Sequence, residues 1–242
     1  MPADCFAVTT HVPKSVSSSL AGPVRPLQVS PLPPDHAERF ALAEEVHARP
    51  PEPVPTPARA SYLAVLVDPD DRGLESAHLA RLCERYGVTP PAPEVTHFSA
   101  RVGALRLKWE GHGEFSSWTL IAPGHERVPF AEPASGLLPD GWLRGLPGAT
   151  LMAAHAVVVA APDTLPDEDA LASHFADHLV VGSEVADGQA WAYTDFKIHG
   201  DGCSRFLVHS RDMSPRVAGR LLQRLFEIEA YRMMALLALP MA

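Results

Sequence analysis

Cysteine is scarce: Cys5, Cys83 and Cys203 are the only three in 242 residues. They form no Cys-x-x-Cys pair, which argues against a thiol zinc site or a disulfide framework. Free thiols fit a reducing compartment. Lysine is rarer for its class, with Lys14, Lys108 and Lys197 the only lysines among 20 basic residues. A net charge of −9 supplies no cation cluster for a phosphate backbone, so no nucleic-acid surface is expected. It also disfavours docking on anionic lipid. Long apolar runs are missing too. The longest, Leu151 to Ala161, is broken by His155 and is too short to span a bilayer. The first thirty residues lack a charged start and an apolar block, so no signal peptide is predicted. Gly-x-Ser-x-Gly, a phosphate loop and a dinucleotide fingerprint are absent as well.

What is present predicts an α+β chain. Residues 1–34, rich in Ser and Pro, read as a disordered tail. Residues 35–57 read as a short helix, capped by Asp35 and ending near His47, followed by a proline-rich connector. A domain is expected over 58–210. Ser61 to Val67 is a short apolar run suited to a buried strand. Leu74 to Tyr86 has helical spacing, with Gly87 as its stop. Strands are predicted at Val95–Val102, Leu105–Glu110 and Phe115–Ile121. The alternation in Leu105-Arg106-Leu107-Lys108-Trp109 predicts one buried and one wet face.

After a loop-rich stretch the order starts again. A strand is predicted at Thr150–Ala160 and a helix at Pro166–Phe175. Strands follow at His178–Val185, Ala190–Ile198 and Cys203–His209. Each half therefore reads β-α-β-β-β, forming mostly antiparallel sheet. Residues 211–242 hold the clearest helix: Ser214-Pro215 opens it as N-cap and N1, and Ala218, Leu222, Leu225 and Phe226 lie on its apolar stripe.

Two stretches echo one another: Trp109-Glu110-Gly111-His112-Gly113-Glu114-Phe115 and Phe196-Lys197-Ile198-His199-Gly200-Asp201-Gly202. Each reads as a hairpin with a tight polar tip. If the halves are related by a pseudo-twofold, His112, Glu114, His199 and Asp201 could face each other as ligands for zinc, iron or manganese. The bland reading is that Gly, Asp and His serve turn geometry alone. Glu45, His47 and Arg49 cluster at a helix end, where His47 and Arg49 could bind an anion or simply complement the last carbonyls. Glu229 and Arg232 are spaced to pair within an apolar helix, with Arg205 or Glu184 as expected sheet partners. Glu184, Asp195 and Arg205 are further ligand-binding candidates, and the two acids could also serve in acid/base chemistry.

Glu45-Val46-His47-Ala48-Arg49-Pro50-Pro51 and Glu227 to Pro240, together with Thr96-His97-Phe98-Ser99, Gly182-Ser183-Glu184-Val185 and Asp195-Phe196, resemble a bacterial family, domain of unknown function 3422. Gly111 and Gly113 stand where that family is expected to carry Arg and Thr. The resemblance implies a head normally followed by a helical region and a hydrophobic anchor at the inner membrane. This chain would then be a truncated copy, cytoplasmic, with helix 214–240 free to meet a protein partner or the missing region. The family brings no established reaction, cofactor or catalytic residue. The expected function is a ligand- or protein-binding head. The alternative is a metal-dependent hydrolase using the His and acid residues of the two turns.

Overall fold

The structure, a computed structural model, describes residues 33–40, 50–124 and 128–239. The chain divides into two units, 1–49 and 50–242. In the first, Arg39 and Phe40 begin a helix and Arg39 pairs with Asp35. The remainder of the expected 35–46 helix, His47, Arg49 and nearly all of the N-terminal tail lie outside the described residues.

The second unit is built on one eight-stranded sheet. Its strands are β1 (Ala58–Leu66), β2 (His97–Val102), β3 (Leu105–Gly111), β4 (Ser116–Pro123), β5 (Ala149–Ala160), β6 (Val181–Val185), β7 (Ala190–Thr194) and β8 (Ser204–Ser210). The helices are α1 (Arg72–Arg85), α2 (Glu168–Ala172) and α3 (Pro215–Ala238). The strand order is β2-β3-β4-β1-β5-β8-β7-β6. Both halves thus follow β-α-β-β-β, and their strands are laid out as mirror images about the antiparallel β1–β5 seam.

Strand direction breaks the mirror. β4 runs antiparallel to β1, whereas β8 runs parallel to β5. The cause lies in the connections. Arg72, at the start of α1, reaches the carbonyls of His112 and Gly113 at the β3–β4 turn. Tyr86, at its end, sits against Gly103 in the β2–β3 turn. α1 therefore runs the full length of the sheet, and the proline-rich segment 88–95 must run back before β2 begins. The β5–β6 connection, with its five-residue α2, crosses only once. An antiparallel β2 results in the first half and a parallel β6 in the second.

α3 covers one face. Ser214 caps it by accepting from the Val217 N–H (3.3 Å), with Pro215 in its first turn. Phe226, Leu222, Ala218 and Ala230 pack on Tyr62, Ala154, Ala156 and Phe206. Tyr62 stacks on Phe226 at 4.9 Å. Gly219 admits the Glu52 carbonyl so closely that a Cβ would lie 1.8 Å from the oxygen, and the Val54 N–H donates to Pro215 O (2.8 Å). This strap, residues 50–54, explains why the wet face expected on β3 is not wet. Lys108 is buried beneath it, donating to Pro50 O, and its Nζ lies 2.9 Å from Oε1 of the equally buried Glu110. The contact with Glu110 is oblique, a charge contact rather than an aligned hydrogen bond.

On the opposite face, α1 packs over Trp109, Trp118 and Leu107 in the first half. A smaller cluster of Phe175, Phe130, Tyr193 and Leu207 fills the second. Glu229 and Arg232 do pair, but with each other (Nε–Oε2 3.2 Å). Arg205 and Glu184 are engaged elsewhere, with His174 and Arg211. Among the described residues no helix is long and apolar enough to cross a membrane.

Candidate functional site

A cavity of about 730 Å³ lies on the sheet face away from α3, within the size range of small-molecule sites. The central strands supply its floor: Ser61 and Leu63 from β1, Trp118 and Leu120 from β4, Ala153 and His155 from β5. Strand alternation puts these side chains opposite the α3-facing Tyr62, Ala154 and Ala156. Phe130, Pro133 and Leu143 roof it, Arg144 lies at its side, and Asp201 to Cys203 form a wall.

The polar groups on this floor have fixed roles. Ser61 Oγ accepts from the Ser135 N–H (3.0 Å) and lies 3.0 Å from His155 Nδ1. With the Ser61 hydroxyl donating to Nδ1, the ring proton sits on Nε2, 3.9 Å from Asp201 Oδ2. Burial holds the His155 pKa below its ordinary value; Asp201 opposes this and Arg205 adds to it. The imidazole is therefore neutral at pH 7. Arg205 donates to His174 O (2.9 Å) and lies over the Phe130 ring at 5.2 Å, with Nη2 3.8 Å from Asp201. The Cys203 thiol is pushed up to about 11, by burial first and Asp201 second. It is not a thiolate nucleophile at neutral pH.

The wall of the cavity is the end of a loop that begins with a second cluster. β7 stops at Thr194 because Phe196 takes a left-handed φ of 53°. The second hairpin therefore has a long folded connection, residues 195–203, instead of a tight tip. Asp195 Oδ1 accepts from the Lys197 N–H (3.2 Å). Its Oδ2 lies 2.7 Å from His178 Nδ1 and 3.0 Å from His199 Nε2. Burial alone would raise the Asp195 carboxyl. The His178 hydrogen bond, the Lys197 N–H and neighbouring His199 outweigh burial and hold it below its ordinary range.

The four residues expected to form a metal site do not meet at one point. His112 faces α3, stacked on Phe115 (4.3 Å), with Nε2 3.1 Å from Ser117 Oγ and Nδ1 3.3 Å from the Tyr231 hydroxyl. Glu114 is exposed at the first hairpin tip. Asp201 points to His155 on the other face, while His199 joins Asp195 and His178. The reversed direction of the second meander removes the twofold on which convergence depended. Glu184 sits on the exposed strand β6, paired with Arg211 at 3.2 Å.

Sequence reasoning missed Ser61, His155 and His178. His155 left a signal, the one polar break in an apolar run. Ser61 and His178 were read as strand residues.

Fold and site together define an α+β single-sheet protein with a ligand-sized cavity at its central seam and a His–Asp–His cluster at the head of the adjoining loop. The chain belongs to the family described as Protein of unknown function (DUF3422), whose model matches residues 34–242. No curated protein and no solved structure matches it.

Proposed function

We propose that this is a binding domain for a small organic molecule with an apolar body and one hydrogen-bonding end. The observation that carries this reading is the cavity itself. Leu63, Ala153, Pro133 and Leu143 offer apolar surface, and Ser61, His155 and Arg144 supply a few polar groups, the usual composition of a ligand site. The Ser61–His155 pair serves as a polar anchor rather than a nucleophile and base. The 3.9 Å between His155 and Asp201 exceeds a hydrogen bond, so nothing orients the ring as a catalytic triad requires. The anchoring implied by the family resemblance would display this head beside the inner membrane.

The test uses 1-anilinonaphthalene-8-sulfonate, an apolar probe with one anionic end. One probe per chain should bind with enhanced fluorescence and quench Trp118. Ala153→Phe, which fills the floor, should abolish the saturable signal. Ser183→Phe, on exposed β6, should leave it unchanged. Equal binding by the wild type and Ala153→Phe overturns the reading.

A further inference from the structure

We propose that His178, Asp195 and His199 form a binding site for one divalent transition-metal ion of the zinc or ferrous class. Their ligand atoms lie within 4.8 Å of one another. Two imidazoles and one carboxylate are a donor set that suits these ions. The three come from separate places: His178 precedes β6, Asp195 follows β7, and His199 sits four residues into the loop.

The loop is built to hold them. The left-handed backbone at Phe196, sparsely populated for an aromatic residue, turns the chain so that Asp195 and His199 face each other. The Lys197 N–H occupies Asp195 Oδ1 and leaves Oδ2 for the cluster. The His199 N–H donates to Cys203 O (3.0 Å), and the Gly202 N–H donates to His199 O (2.9 Å). Both ends of the His199 residue are thereby fixed before any ion arrives, as ligands need to be.

A second observation points to an ion rather than to a hydrogen-bonded cluster. The His199 side chain is 3% exposed, and its Nε2 makes no hydrogen bond. It is close to Asp195 but off the line a hydrogen bond needs. A buried nitrogen held 3.0 Å from a carboxylate oxygen but out of line with it is poorly satisfied, and a cation between Nε2 and Oδ2 would coordinate both. The His178 side chain, 41% exposed, gives an entry path and an open coordination position, as in sites that keep a water or substrate on the metal. The same loop ends in the cavity wall at Asp201 to Cys203, so the ion would also fix that wall. This inference does not depend on the cavity reading.

The full chain, stripped with a chelator, is titrated with Co²⁺ and then Zn²⁺. The expected result is one Co²⁺ per chain with visible d–d absorption, displaced by one equivalent of Zn²⁺. His178→Gln should weaken Zn²⁺ binding by at least about 10-fold while its circular dichroism stays that of the wild type. His97→Gln, exposed on edge strand β2, should bind as the wild type does. Ala153→Phe should keep the Co²⁺ spectrum, which separates this site from the cavity. Absence of stoichiometric binding, or equal affinity in the wild type and His178→Gln, overturns the proposal.

Discussion

The halves of the sheet share a strand order and differ in how they are covered. Residues 58–123 are covered on both faces, by α1 and neighbouring turns on one and by the 50–54 strap and α3 on the other, except where β1 and β4 floor the cavity. Residues 149–210 are more open: residues 181–184 of edge strand β6 are exposed, and α2 is a single short turn of helix. Closure lets the first half bury an ion pair and two tryptophans. Openness lets the second spend a nine-residue loop on His and Asp side chains. The same strand layout thus puts the buried ion pair on one side of the β1–β5 seam and the His–Asp–His loop on the other, with the cavity floor drawn from both.

The sharpest break in this contrast should come from Lys108→Met. It leaves the Glu110 carboxylate buried without its cation, at a cost of about 3–5 kcal/mol in urea unfolding. The double change Lys108→Met with Glu110→Leu should recover most of that, because two apolar side chains can replace a buried pair. A single-variant cost under about 1 kcal/mol, the range of an exposed pair, would mean the first half is not closed.

Glycines sharpen the contrast next. Gly219→Ala drives a Cβ into the Glu52 carbonyl and should cost about 2–3 kcal/mol by displacing the strap. Gly200→Ala, in the second-half loop, meets nothing within 4 Å and should be within about 0.5 kcal/mol of wild type. Thermal unfolding of the two variants side by side decides it.

One buried group from each half should respond to pH in a sense opposite to the other. Glu75 on α1 is buried, with Oε2 accepting from the Ser116 hydroxyl (2.8 Å). Burial raises its pKa, against the Ser116 hydrogen bond. The folded state therefore keeps this proton longer than the unfolded one. Stability is lost as pH rises from the ordinary carboxyl value through the raised one. His209 on β8 has its pKa lowered, by burial first and by His174 second. The unfolded state takes that proton first, so stability is lost as pH falls from the ordinary imidazole value toward the lowered one. Glu75→Gln should reduce the first slope and His209→Phe the second, in melting temperatures followed from pH 4 to 8, a window that spans the ordinary carboxyl and imidazole values.

Local rules made most of this architecture legible. Ser214-Pro215 marks the start of α3, the apolar runs mark β1 and β5, and the repeated β-α-β-β-β order is visible in the sequence alone. Strand direction is not, because it depends on how often a connection crosses the sheet, which the helix pattern of Leu74–Tyr86 does not encode. The wet face expected for Lys108 failed for a related reason. Its cover, Pro50 to Val54, lies more than fifty residues away, and no period within β3 registers it. Of the site, His199 stands out through its turn chemistry and Asp195 as an acid/base candidate. His178 joins them from across the β6–β7 hairpin, a pairing set by tertiary folding alone.

The smallest expected effect belongs to the exposed ion pair of the open half. Arg211 Nη1 lies 3.2 Å from Glu184 Oε1, with both side chains about half exposed. At that exposure the attraction is spread through water and salt, and ordering two long side chains offsets much of it. Arg211 also donates to Gly188 O (3.2 Å), a contact that water replaces readily. Arg211→Ala should therefore cost no more than about 0.5 kcal/mol, and the difference should vanish in 1 M salt, where the screening length is about 3 Å. A cost above about 1 kcal/mol that survives salt would place this pair in a water-excluded setting. The second half would then be as closed as the first, and the contrast between them would fail at its most exposed point.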